Sequence, residues 1–212
     1  MKDVIAPKSY RVFVALPLPE EVNAKLSALQ QWLRRETGGD FVRWVRAEKF
    51  RLTIRFFGDL PAAKLPALEA AVRQTASLHQ QIELTATGAG WFGHRQQPGV
   101  IWAGITGDVK ALRALESAID RATDLLGARR DPTPFEPHLT LGRASRCSGD
   151  QSRRLKEVIA SKANAALGSW RADTLLLLRS DLLPTGADYT ELNRFELGRR
   201  VEHEAKAPTP LD

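Results

Sequence analysis

Cysteine is almost absent from this chain: Cys147 stands alone among 212 residues, which excludes an internal disulfide and any cysteine-rich metal cluster. Histidine is scarce as well. His79, His94, His138 and His203 show no close metal-ligand spacing, so no structural metal is expected. No stretch approaches the roughly 18 apolar residues of a membrane span, and Met1 to Ser9 lacks the apolar core of a secretory signal. A cytoplasmic location without a membrane partner is the expectation. Acidic side chains are in deficit, 25 against 31 Lys and Arg, which leaves a net charge of +6 and a pI near 9.8. Such an excess draws phosphates by long-range attraction. Nucleic acid or nucleotide is therefore a candidate partner, and surface solubility alone is the competing explanation.

What is present is an ordinary globular composition, 43% hydrophobic and 26% charged, in a chain long enough to bury a sizeable core. Tyr10 to Leu16 reads as a strand, and Pro19 opens a helix whose Val22, Leu26, Leu29 and Leu33 form one stripe. Short and long strands follow near Phe41 to Val45 and Arg51 to Phe57, then a helix over Ala62 to Ser77 and a strand over Ile82 to Thr87. Gly88 to Gly99, with Trp91, Phe92 and His94, reads as a loop. The second half repeats the order: a strand at Val100 to Thr106, a helix capped by Asp108, a proline-rich loop and a strand at His138. A helix near Asp150 to Leu167 and strands at Ala172 to Leu178 and Tyr189 to Leu197 complete it. Gly198 onward reads as a frayed tail.

One short pattern occurs twice. Pro137-His138-Leu139-Thr140-Leu141 carries His-x-Thr in a strand-like run, and Phe50-Arg51-Leu52-Thr53-Ile54-Arg55 repeats the frame with arginine in the place of histidine. Successive strand side chains point to opposite faces, so His138 and Thr140 share one face, as do Arg51, Thr53 and Arg55. The motifs lie 87 residues apart (138 − 51) and the opening strands at nearly the same offset, which points to an internal duplication. We expect an α+β protein of two pseudo-symmetric lobes, with antiparallel-rich sheets facing a central groove and helices outside. It forms a single bilobal domain over 1–200, with repeats at roughly 9–90 and 98–198, and 199–212 forms a flexible tail. Opposed imidazoles can remove a proton from an attacking oxygen and return one to a leaving oxygen near neutral pH. A hydroxyl two residues along, Thr140 or Thr53, can donate to a phosphate oxygen as charge develops.

These residues resemble a known family. Arg11 to Pro19, Arg43-Trp44-Val45, Leu52 to Gly58, Ile101 to Gly104, Pro134 to Leu141 and Tyr189 to Phe195 together resemble the RNA 2′,3′-cyclic phosphodiesterases, also called 2′-5′ RNA ligases, among the two-histidine phosphoesterases. The resemblance implies a metal-independent hydrolase that opens 2′,3′-cyclic phosphates to 2′-phosphomonoesters, with 2′-5′ RNA ligation in some members. It implies His138 as the proton acceptor that activates water, and places Arg51 where the family has its proton donor. No organic cofactor is needed, since side chains can perform both proton transfer and phosphate stabilisation. A monomer acting on RNA or a nucleotide is expected.

Arg51 departs from that pattern. A guanidinium does not readily exchange protons near neutral pH but binds phosphate strongly. Three readings follow: a slowed enzyme, a variant in which a bound water, His94 or an acidic group supplies the proton, or a silent module that binds RNA ends. Arg55, on the face of Thr53, is a candidate phosphate ligand. Arg143 is another, on the reasoning that it continues the alternating frame if the strand passes Gly142 without a bulge. Trp91 and Tyr189 are candidate base-stacking residues, whereas Phe57 and Trp102 are expected in the core.

Overall fold

A computed structural model describes residues 9–38, 40–94, 97–126, 133–145, 147–183 and 186–198. The first strand, β1 (Ser9–Leu16), leads into helix α1 (Glu20–Thr37). Acidic Glu20 and Glu21 open that helix and basic Arg34 and Arg35 close it, which complements the helix dipole. Gly38 ends it at φ 60, a backbone conformation that glycine adopts without steric cost. Next come β2 (Val42–Trp44), β3 (Leu52–Pro61), α2 (Leu65–Leu78), β4 (Ile82–His94) and β5 (Gln97–Gly107). The chain continues through α3 (Val109–Thr123), β6 (His138–Ala144), α4 (Gly149–Ala160), β7 (Ala166–Ala172), β8 (Thr174–Leu183) and β9 (Gly186–Glu196). The expected cap of α3 is present, Asp108 accepting from the Ala111 amide at 3.0 Å.

Two antiparallel sheets form, ordered β3-β1-β8-β9 and β2-β6-β5-β4-β7. Helices α2 and α3 pack together behind the first, and α1 and α4 behind the second. Each lobe therefore mixes elements from both halves of the chain. Leu16, Leu26, Leu33, Leu52, Leu112, Leu115, Leu139 and Leu141 are all fully buried in the main core. On the other face of the first sheet a smaller cluster holds Phe13, Ala15, Leu176 and Leu178, with Tyr189 against it. That helix-free face lines the groove. β3 lies against β6, which brings the two motif strands together.

Several boundaries differ from expectation. Gly88 to His94 is no loop: it extends β4, which pairs with β5 from Leu84 to His94 through a bulge at Gly88. Glycines there read as loop signals, yet Gly90 serves a close approach instead. A Cβ on it would stand 2.2 Å from the Trp102 ring. Helix α4 stops at Ala160; Leu167 lies in β7 instead, where Trp170 and Ala172 are buried two residues apart. The tail expected at 199–212 lies outside the described residues.

Candidate active site

Both motif strands contain a bulge at the same place. In the pairing of β1 with β3, Ala15 stands opposite Thr53 and Val14 opposite Arg55, which leaves Ile54 unmatched. In the pairing of β5 with β6, Trp102 stands opposite Thr140 and Ile101 opposite Gly142, which leaves Leu141 unmatched. Each extra residue directly follows the motif threonine and reverses the facing of the residues after it; in β3 a second unmatched residue, Phe57, restores it. Gln30 of α1 secures the second bulge: its amide donates to the carbonyls of Leu141 at 2.8 Å and Val45 at 2.7 Å.

The bulges relocate both arginines that simple alternation placed. Arg55 shares a face with Val14 of the main core, is buried, and pairs through its guanidinium with Asp120 of α3 at 2.7 Å. It is a structural ion pair behind the sheet, contrary to the expectation that it faces a phosphate with Thr53. Arg143 moves the other way. Five positions after His138, it would face the opposite side of an unbroken strand; the bulge at Leu141 brings it to the side of His138 and Thr140. The condition attached to it, a strand without a bulge, was thus the reverse of what its placement requires. Phe56 occupies the matching place in β3, stacked on Phe13 with ring centroids 6.0 Å apart and with Arg11 4.6 Å above it.

His138 is partly buried at the start of β6. Its Nδ1 lies 2.7 Å from the Glu136 carbonyl, and because a carbonyl only accepts, Nδ1 carries the hydrogen and Nε2 presents a lone pair. Burial is the largest influence on the imidazole and lowers its proton affinity. The Glu136 carbonyl raises it, the nearby Arg143 guanidinium lowers it, and the net shift is downward. The shift favours the neutral imidazole. The edge of Phe92 meets the ring at 5.0 Å, and Phe92 in turn touches Trp102 at 5.2 Å.

On the facing motif, Thr53 is exposed beside Ala15 on the groove face, and half-buried Arg51 lies two residues earlier, just before β3 begins. One terminal nitrogen of Arg51 donates to the Phe50 carbonyl at 2.7 Å, while its Nε is buried without a partner. No carboxylate among the described residues neutralises it. Tyr189 lies on the same face as Phe13, their rings near perpendicular and 4.9 Å apart. Lys49 lies 5.5 Å above its ring, donates to Asp188 at 2.9 Å and to the Ala187 carbonyl, and so ties the β8–β9 hairpin to the first motif.

The two tryptophans exchange their expected places. Trp91 stands opposite fully buried Ile101 and packs on the helix side, with Lys156 of α4 5.0 Å from its ring. It is not a groove residue. Trp102, expected in the core, instead shares the face of Thr140, while Phe57 is buried as expected. Simple alternation sets Phe56 behind the strand with Leu52 and Ile54, and the bulge at Ile54 turns it to the face of Phe13 instead. Nothing in the sequence singled out Lys49 or Gln30.

A model of the LigT-like phosphoesterases matches residues 16–102, a span that contains the first motif. RNA 2′,3′-cyclic phosphodiesterases are similar over most of the chain. The one from Methanothermobacter thermautotrophicus is 31% identical over 188 residues, covering 88% of this chain and 98% of its own. That from Thermus thermophilus is 31% identical over 206 residues, covering 93% and 96%. Among solved structures, one from Thermus thermophilus aligns with a TM-score of 0.73 at 27% identity, over 88% of this chain and 97% of the other. Escherichia coli LigT complexed with 3′-AMP aligns with a TM-score of 0.72 at 24% identity, over 90% and 99%, a likeness of fold.

Proposed function

We propose the following chemistry for this chain, which belongs to the LigT-like phosphoesterase family: it opens 2′,3′-cyclic phosphates at RNA ends, or on nucleotides, to 2′-phosphomonoesters. One observation carries the reading. His138 directs Nδ1–H at the Glu136 carbonyl and so presents its Nε2 lone pair, on the face it shares with Thr140 and Arg143.

The reaction follows from that arrangement. His138 Nε2 takes a proton from water as the water oxygen attacks phosphorus. The bond from phosphorus to the ribose 3′ oxygen breaks and the 2′ oxygen keeps the phosphate. Thr140 and Thr53 donate to the non-bridging oxygens, and the Arg51 guanidinium balances the developing negative charge. Arg51 stabilises the departing oxygen as a cation but gives it no proton, so water supplies one. Loss of a positioned acid typically costs about 10²–10⁴ in rate, and turnover is correspondingly slow. With an RNA 5′-hydroxyl in place of water, the same displacement leaves a 2′-5′ phosphodiester, which is the ligation reaction.

A second reading rests on Arg51 itself: a module that holds phosphate ends without turning them over. The test is hydrolysis of a cyclic-phosphate-ended RNA, without added metal, by the native chain, Arg51→His and His138→Ala. Slow native turnover, a gain of about 10²–10⁴ in Arg51→His and loss of activity in His138→Ala support the enzyme. Three inert proteins that all bind the RNA would establish the binding module instead.

A further inference from the structure

Arg43 of β2 stands directly opposite Arg143 of β6. Directly opposed residues of an antiparallel pair project to the same face, with Cα atoms about 4.5–5.5 Å apart. The bulge at Leu141 therefore places Arg43, along with Arg143, on the side of His138. Both arginines are exposed. Neither has a carboxylate partner among the described residues, whereas their neighbour Arg46 pairs with Glu48 at 3.1 Å and Asp188 at 3.5 Å. Like charges in opposed positions repel and weaken a strand pair. Two guanidiniums so placed can share one phosphate, and that phosphate would remove the repulsion.

Position says which phosphate this is. Arg143 is close enough to His138 to act on its charge, so the pair adjoins the reacting centre. Arg43 lies one strand further out, on the edge strand of its sheet. In an RNA that ends in a 2′,3′-cyclic phosphate, the terminal nucleoside carries one other phosphate, on its 5′ oxygen. We propose that Arg43 and Arg143 form a subsite for that 5′ phosphate, which makes the favoured substrate an RNA chain or a 5′-phosphorylated cyclic nucleotide over one with a free 5′-hydroxyl. This rests on the reading of His138 as the base acting on the cyclic phosphate.

The experiment compares kcat/KM for adenosine 2′,3′-cyclic phosphate, its 5′-phosphorylated form and a cyclic-phosphate-ended dinucleotide. The native chain should favour the two that carry the 5′ phosphate by about three- to tenfold, between the worth of an exposed ion pair and that of a full charge-assisted hydrogen bond. Arg43→Gln should bring the ratio close to one and flatten the salt dependence for those two substrates. Arg35→Gln, a charge-matched change on α1 behind the sheet, should leave the ratio as it is. A native ratio of one, or a ratio unmoved by Arg43→Gln, overturns the subsite. If no substrate turns over, the activity reading fails and calorimetric titration still decides the subsite. Adenosine 2′,5′-bisphosphate should then bind more tightly than adenosine 2′-monophosphate, with the advantage lost in Arg43→Gln; equal binding of the two overturns it.

Discussion

Replacing Arg55 with methionine separates two accounts of β3. If the strand alternated without interruption, Arg55 would face the groove beside Thr53, and its loss would weaken phosphate binding with little effect on stability. With Ile54 bulged, the side chain is 8% exposed and bonded to Asp120, itself 24% exposed, at 2.7 Å. Removing it takes that cation away from the Asp120 carboxylate and from Glu116, whose own carboxyl is pushed up by burial and by Asp120 and is held back by Arg55. Breaking a buried pair costs roughly 3–5 kcal/mol. The partial exposure of Asp120 places this one at about 3 kcal/mol, or a fall in Tm of about 6–12 °C for a chain of this size. Urea denaturation followed by fluorescence of the five tryptophans, together with KM measured well below the transition, provides the assay. Arg55→Met should lower the midpoint and leave KM unchanged. Adding Asp120→Leu should recover part of the loss, because the partner carboxylate is then removed as well. An unchanged midpoint with a raised KM would refute the bulged register and return Arg55 to the groove.

The pH profile tests the assignment of base and absent acid. His138 must be neutral to accept a proton and its folded value lies below the ordinary 6.5; kcat/KM should therefore rise with pH, reach half its maximum below 6.5, and stay level into the alkaline range because Arg51 keeps its charge. Arg51→His should add a descending limb; a bell-shaped profile in the native chain would show that some other group donates the proton. Gly90→Ala would set a Cβ 2.2 Å from the Trp102 ring, and forcing that ring aside should cost about 1–3 kcal/mol by denaturation and shift tryptophan emission. A neutral result there would mean that Trp102 does not rest on Gly90.

The local features were legible because they depend on near neighbours in the chain. The stripe of Val22, Leu26, Leu29 and Leu33, the Asp108 cap and the shared face of His138 and Thr140 all express periods of 3.6 or 2, or a single hydrogen bond across three residues. The two arginines turn on bulges: at Ile54 the broken period of 2 sends Arg55 inward, and at Leu141 it carries Arg143 to the face of His138. Trp91 differs for another reason, since the glycines around it read as a loop and instead belong to β4. A bulge is a mismatch of count between paired strands, so no single strand reveals it.

The sequence by itself determined which groups are available: one imidazole in an intact motif, two threonines at matched positions, and an arginine where proton donation would need a titratable side chain. Tertiary structure decided which of the remaining cations reach them. Pairing with β1 sends Arg55 behind its sheet to Asp120, and pairing with β5 and β2 brings Arg143 and Arg43 to the face of His138. The physical reason is that side-chain direction in a strand is inherited residue by residue along the chain. One unmatched residue inverts it for those that follow, and only the partner strand determines where that residue falls.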